Sequence, residues 1–317
     1  MAFKILYILL SFNILFTQNY INPGVYDQDL IVFLENNYKT SSTLGYNNAR
    51  DIMYSEIDIK SGNQLTGVYC GYTITLDLNQ DPSTDAYEKG INCEHTWPQS
   101  LGSGSEPMKS DMHHLFPTKS NVNSSRGNDP FDESIDQLTD NWYRNSSSQN
   151  TIPQQFIDEY AEKYNPPNQN DERFEPREVQ KGNTARAMAY FYTIYSNVAE
   201  DQFWDIQKDI LFQWHYYDQV DQTEYNRTWA IASYQDNIPN PFVIDPSLMW
   251  RCYFIDDYPL GDVNNDIDVN ILDVVLVVEY VLGNSEFTNL QIHQCDFSND
   301  FDIDILDIIQ FIEYVIY

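Results

Sequence analysis

Basic residues are scarce in this chain of 317 residues: Lys and Arg number 17 against 48 Asp and Glu, a formal net charge of −31. That excludes a simple basic-groove DNA binder, so a polyanionic partner requires a metal ion or a local positive patch. Long apolar runs are missing too. None reaches the roughly 20 residues of a membrane span, which excludes a polytopic membrane protein. Cysteine is sparse, and Cys70, Cys93, Cys252 and Cys295 form no C-x-x-C pair, which argues against a zinc ribbon. In an exported chain they allow roughly three full disulfide pairings, and buried free thiols fit equally well. Aromatics are plentiful. At 15% aromatic and 42% hydrophobic residues the chain is no disordered polyelectrolyte, and its length fits roughly two domains.

The acidity is uneven. Residues 259–317 carry 12 acidic residues and no Lys or Arg, while the rest carries 36 acidic against 17 basic residues, so a domain boundary is expected near Pro259. At the other end, Met-Ala-Phe-Lys precedes Ile5–Phe16, one positive charge before about a dozen mostly apolar residues. That is the shape of a secretory signal peptide over residues 1–18, without an A-x-A cleavage pattern. It predicts export: extracellular, periplasmic or attached to the cell surface. Between them, residues 65–78 read as strand, residues 101–110 and 121–130 as loops, and residues 183–199 and 201–216 as helices. An α+β domain of mixed helices and short strands is therefore expected over residues 19–258.

Three of the five histidines fall within 20 residues, in Cys93-Glu94-His95-Thr96-Trp97-Pro98 and Ser110-Asp111-Met112-His113-His114-Leu115-Phe116-Pro117. Asn121-Val122-Asn123-Ser124-Ser125-Arg126-Gly127-Asn128 follows. A Glu and an Asn converging on one point supply enough oxygen for Mg²⁺, which keeps most of its waters. An imidazole left free beside them titrates near neutrality and accepts a proton from an attacking water.

EHTWPQS and SDMHHLFPTKSNVNSSRGN resemble the signature of the bacterial endonuclease I family, exported His-Me finger (ββα-metal) nucleases. The resemblance continues through Glu175-Pro176-Arg177-Glu178-Val179, KGNTARAMAYFYTIY from Lys181, LFQWHYYDQVD from Leu211, and Asn240-Pro241-Phe242-Val243-Ile244-Asp245. It covers most of residues 26–255. It implies that His95 is the general base, that Glu94 and Asn123 are ligands of one Mg²⁺ (or Mn²⁺ or Ca²⁺), and that hydrolysis leaves 5′-phosphate ends. His95 should end the finger's hairpin, with one ring nitrogen held by a backbone carbonyl. Asp111 and His113 read as loop braces, and His114 as a brace or a phosphate contact. Arg126 could neutralise a phosphate in catalysis or fix the Asn123 segment by a salt bridge; Arg186 could do either.

The tail repeats itself. Residues 262–282 and 296–316 match at ten of 21 positions with an offset of 34. Asp262, Asn264, Asp266, Asn270 and Asp273 occupy loop positions 1, 3, 5, 9 and 12 of a Ca²⁺ loop, with a backbone carbonyl from Asp268 at position 7. Asp296, Ser298, Asp300, Asp304 and Asp307, with Asp302, repeat the set. Apolar stripes follow, Val274, Val277, Val278 and Val281, then Ile308, Phe311, Ile312 and Val315. The module over residues 259–317 resembles a dockerin, a small all-α Ca²⁺ domain, which implies a cohesin-like partner. It departs at position 6, where Ile267 and Phe301 replace a turn glycine. The expected function is a secreted metal-dependent endonuclease acting on DNA, or on RNA, with little sequence preference. The alternative is a Ca²⁺-dependent surface-assembly protein with an inactive nuclease-fold binding domain.

Overall fold

A computed structural model describes residues 20–166 and 171–317. The expected export segment lies outside the described residues. Two strands, Ile91–His95 and Leu115–Lys119, pair antiparallel, with Ile91 opposite Lys119 and His95 opposite Leu115. Ile91 and Cys93 alternate into an apolar cluster with Met112 and Leu115, which turns Asn92 and Glu94 to the other face.

The chain then passes directly into the helix Ser120–Arg126. Its Ser and Asn side chains compete for backbone hydrogen bonds, hence the loop expected over 121–130. The structure corrects that expectation, because Val122 is buried in the main core and Arg126 beneath the hairpin. Packing overrides a weak local preference. The strand expected over 65–78 is likewise a hairpin of two short strands, Gln64–Thr66 and Thr73–Thr75. Gly67 ends the first where it abuts the finger; a Cβ there would lie 2.8 Å from the Lys119 nitrogen. A separate four-stranded antiparallel sheet runs in the order Ser147–Gln149, Asn141–Arg144, Ala161–Tyr164, Arg173–Glu175.

The helix Lys181–Ile194 forms the axis of the core, with 12 of its 14 residues buried. Its small residues let neighbours approach; a Cβ on Gly182 would sit 1.8 Å from the Asp218 carbonyl. It ends five residues earlier than expected. The helix expected over 201–216 is two, Asp201–Asp205 and Lys208–Tyr217, divided at Gln207. The buried Gln207 amide accepts from the Phe131 nitrogen and donates to the Phe203 carbonyl. Trp97, Trp204, Trp214 and Trp250 fill the core around this axis. Antiparallel strands segregated from helices make the body α+β. No helix of the described residues is long and apolar enough to cross a membrane.

The tail has its own core of Val263, Val274, Val277, Cys295, Ile308 and Phe311. Its helices are Ile271–Val281, Asn289–Cys295 and Ile305–Ile316, of which the second had no sequence signal in the repeat. The tail is seated on the body. Tyr20 stacks on Phe301 at 3.8 Å between ring centres, and its hydroxyl donates to Asp296 at 2.8 Å. Leu290 packs against the body's core, and the Gln294 amide donates to the Pro259 and Asp262 carbonyls at the junction.

Candidate active site

The hairpin and the helix after it enclose an open cleft of about 190 Å³, walled by Glu94, His95, Gln99, Asn123, Arg126 and Asn128. His95 ends the first strand. Its Nε2 donates to the Lys109 carbonyl at 3.0 Å, and the Gln99 amide donates to Nδ1 at 3.3 Å. This pair of contacts selects the Nε2–H tautomer and leaves Nδ1 basic, on the side of Gln99. Burial, followed by the positive charges of His114 and Lys109, lowers the His95 pKa to about 3. The ring is therefore neutral at neutral pH.

Glu94 is buried with its Oε1 engaged twice, by the Tyr69 hydroxyl at 2.8 Å and by Arg126 Nη1 at 3.3 Å. Its second oxygen carries no bond from a described residue. Burial raises the Glu94 pKa, and Arg126 and Tyr69 oppose that rise; a further positive charge in the cleft would favour the ionised form. Asn123 spends its amide nitrogen on Asn92 Oδ1 at 2.9 Å and on the Cys93 carbonyl at 3.2 Å. Its own carbonyl oxygen is thereby oriented without being consumed. One carboxylate oxygen and one amide oxygen at the mouth of a wet cleft fit an ion that retains its waters. Among the described residues no group of three or more His, Cys, Asp or Glu side chains is arranged to enclose a metal.

Arg126 is fully buried. It donates to the carbonyls of His95, Thr96 and Gly127, pairs with Glu94, and lies 4.6 Å over the Phe131 ring. Asp111 accepts from the His113 nitrogen, Gln235, Tyr190 and Tyr195. His113 donates to the Ile238 carbonyl and His114 to that of Met108. These bonds brace the segment that presents the Lys109 carbonyl to His95. Arg186 is bound by both oxygens of Glu224, remote from the cleft's walls. All four cysteines are unpaired buried thiols.

In the tail, Asp262 accepts from the backbone nitrogens of Asp266 and Ile267, and Asp273 from those of Val263, Asn264 and Asn270. The second copy repeats this with Asp296 receiving Asp300 and Phe301, and Asp307 receiving Ser298 and Asp304. Asp266 and Asp300 accept from the nitrogens of Asp268 and Asp302. Asn270 and Asp304 cap the helices that follow. Ile267 and Phe301 stand at φ 74° and 64°, the left-handed conformation a glycine would take. The substitution at position 6 changes the residue and keeps the turn, and the donors of both loops are all oxygen, the type a hard cation takes.

The endonuclease I family model matches residues 21–247. The chain belongs to the endonuclease I family. The dockerin type I model matches residues 260–316, completing a nuclease body followed by a dockerin region. The first match implies a divalent metal and the second calcium binding. Two curated relatives are both named extracellular ribonuclease. That of Bacillus subtilis (strain 168) is 29% identical over 206 residues, 60% of this chain and 61% of the relative. That of Bacillus amyloliquefaciens is 30% identical over 174 residues, 49% and 51% respectively. The chain thus spans between half and three-fifths of these relatives' lengths.

Several residues of this family member escaped the sequence reading. Tyr69 holds Glu94 from 25 positions away, and nothing in the sequence marks it. Gln99 was visible in EHTWPQS but unassigned. The dockerin region also exposes a second apolar face, Ile271, Leu272 and Val275 with their repeat partners Ile305, Leu306 and Ile309. The offset of 34 marks that face once the buried stripe is subtracted.

Proposed function

We propose that this chain is an exported, divalent-metal-dependent endonuclease that hydrolyses phosphodiester bonds in DNA or RNA with little sequence preference. The observation that carries this reading is the convergence of Glu94, His95 and Asn123 on one open cleft. The names of the two relatives support RNA as a substrate alongside DNA, and an extracellular or surface-attached location. Glu94, through its unengaged oxygen, and Asn123, through its amide carbonyl, would hold one Mg²⁺. When bound, the ion stabilises charge developing on the phosphate and the departing oxygen. His95, its ring held at Nε2 by the Lys109 carbonyl, takes a proton from water at Nδ1 when that water displaces the Gln99 amide from the nitrogen. The product ends would be 5′-phosphate. Arg126 acts as a positioning residue, fixing Glu94 and the backbone on either side of Thr96.

The tail, through Asp262, Asn264, Asp266, Asp268, Asn270 and Asp273 and their counterparts Asp296, Ser298, Asp300, Asp302, Asp304 and Asp307, would bind Ca²⁺. It would dock the enzyme on a cohesin-like partner by the exposed apolar face. The test is cleavage of plasmid DNA and of structured RNA by the full chain. Cleavage should require Mg²⁺ and stop in EDTA, and His95→Ala should lower kcat by about 10²–10⁴-fold. Near wild-type turnover by His95→Ala would remove it as the base.

A further inference from the structure

In a chain so acidic, the fold consumes most of its cations internally. Among the described residues, Arg126, Arg186, Arg227 and Arg251 are buried or half-buried against Glu94, Glu224, Asp58 and Asp245. Arg50, Lys60, Lys109, Lys119 and Arg177 are the described Lys and Arg residues with no carboxylate partner. Two of these five meet on one aromatic ring. The Arg50 guanidinium carbon lies 4.6 Å and the Lys109 ammonium 5.3 Å from the centre of Tyr46. The Tyr46 ring is in turn 5.3 Å from the ring of His95.

We propose that Arg50 and Lys109, gathered by Tyr46 beside His95, form the phosphate-binding shelf that holds the nucleic-acid strand at the cleft. The inference rests on the nuclease reading above. It identifies the local positive patch that the composition demands of a polyanion-binding site.

Arg126, inside the motif, cannot serve: it is 1% exposed, and its two terminal nitrogens are spent on three backbone carbonyls and Glu94. Arg50 differs in exposure and pairing: it is half-buried and makes no ion pair among the described residues. Its Nη2 donates to Asn47, and its Nε, like that of Arg126, is buried without a partner. Lys109 is tied to the reaction centre by its own backbone, since its carbonyl receives His95 Nε2. With two cations over its ring, Tyr46 serves as their holder rather than as a platform for a base. Beyond a Debye length of about 8 Å the chain's net charge is screened, so a pair of cations in contact with the strand governs its capture.

The experiment uses the full chain carrying His95→Ala, so that the strand stays intact. The anisotropy of a fluorescent single-stranded DNA or RNA oligonucleotide is titrated in Mg²⁺ across a salt series. Arg50→Gln and Lys109→Gln, added singly, should each weaken binding about tenfold and make the slope of log K against log salt shallower by about 0.7. Arg50→Lys should recover most of the slope, and Lys208→Gln, a surface charge paired with Asp205, should leave it unchanged. Thermal melts matching the parent establish that the variants fold. Binding and slope unaltered by both Gln variants would overturn the shelf even if the unsubstituted chain cleaves. Loss of binding and slope in a chain that cleaves neither DNA nor RNA would uphold the shelf and overturn the nuclease reading.

Discussion

Arg126 is the residue whose surroundings decide most about the site. A buried guanidinium facing Glu94 and three carbonyls leaves a desolvated carboxylate if it is removed. Breaking such a pair by deleting one partner typically costs 3–5 kcal/mol. Arg126→Ala should therefore lower the unfolding free energy by about 3–5 kcal/mol in urea titration. A loss within about 0.5 kcal/mol, the range of ordinary surface substitutions, would show that the residue is free for chemistry instead. The sequence left its two roles open because the deciding partner lies 32 positions away. Glu94, His95 and Asn123 were singled out by the resemblance of EHTWPQS and SDMHHLFPTKSNVNSSRGN to the endonuclease I signature, and the structure brings the three to one cleft. The burial that holds His95 neutral, and the Tyr69 hydroxyl on Glu94, come from the tertiary fold alone.

At the scale of elements, the finger hairpin was implied by the family resemblance, and the first and third helices of the tail were legible from the repeat. The finger helix was not, since Ser120–Arg126 is made of poor helix formers and owes its shape to the burial of Val122 and Arg126. The paired loops of the tail present a sharper comparison. Ile267 and Phe301 hold the same left-handed turn, yet Ile267 is 80% exposed while Phe301 is stacked on Tyr20. Left-handed backbone costs a non-glycine residue about 1–2 kcal/mol, and a new glycine loosens the unfolded chain by about 0.4–1 kcal/mol. Ile267→Gly should accordingly stabilise the tail by up to about 1 kcal/mol. Phe301→Gly forfeits apolar burial and the stack, and should destabilise it by about 1–3 kcal/mol. Thermal melts in Ca²⁺ and in EDTA decide the matter; equal shifts for the two variants would mean the stack on Tyr20 carries no weight.

For the whole molecule, pH is the informative variable. All five histidines are held below their ordinary value first of all by burial, His95 and His215 at about 3 and His293 at about 4. Burial pushes Glu162 up to about 7 and Glu175 up to about 8. Below about pH 6.5 the unfolded chain binds protons on imidazoles that the folded chain refuses, so acidification destabilises. From about pH 4.5 to 8 the folded chain retains protons on Glu162 and Glu175 that the unfolded chain has released, a loss that outweighs the imidazole gain above about pH 7. Chemical denaturation across this range should find maximal stability at about pH 7. A stability that climbs steadily to about pH 9 would refute the assignment of these buried acids.

The contact of Tyr20 with Phe301 and Asp296 bears on how the enzyme would work at a surface. A catalytic body on a loose Gly/Ser tether wanders through a sphere whose radius grows as the square root of the tether's length. Here the tail is held against the body, because Tyr20 stacks on Phe301 and bonds Asp296 while Leu290 packs, half-buried, against the body's core. A partner gripping the tail would therefore aim the cleft as a handle aims a blade. The strands within reach would be those the partner brings past it, and the direction of attack would be inherited from the anchor rather than searched for by diffusion.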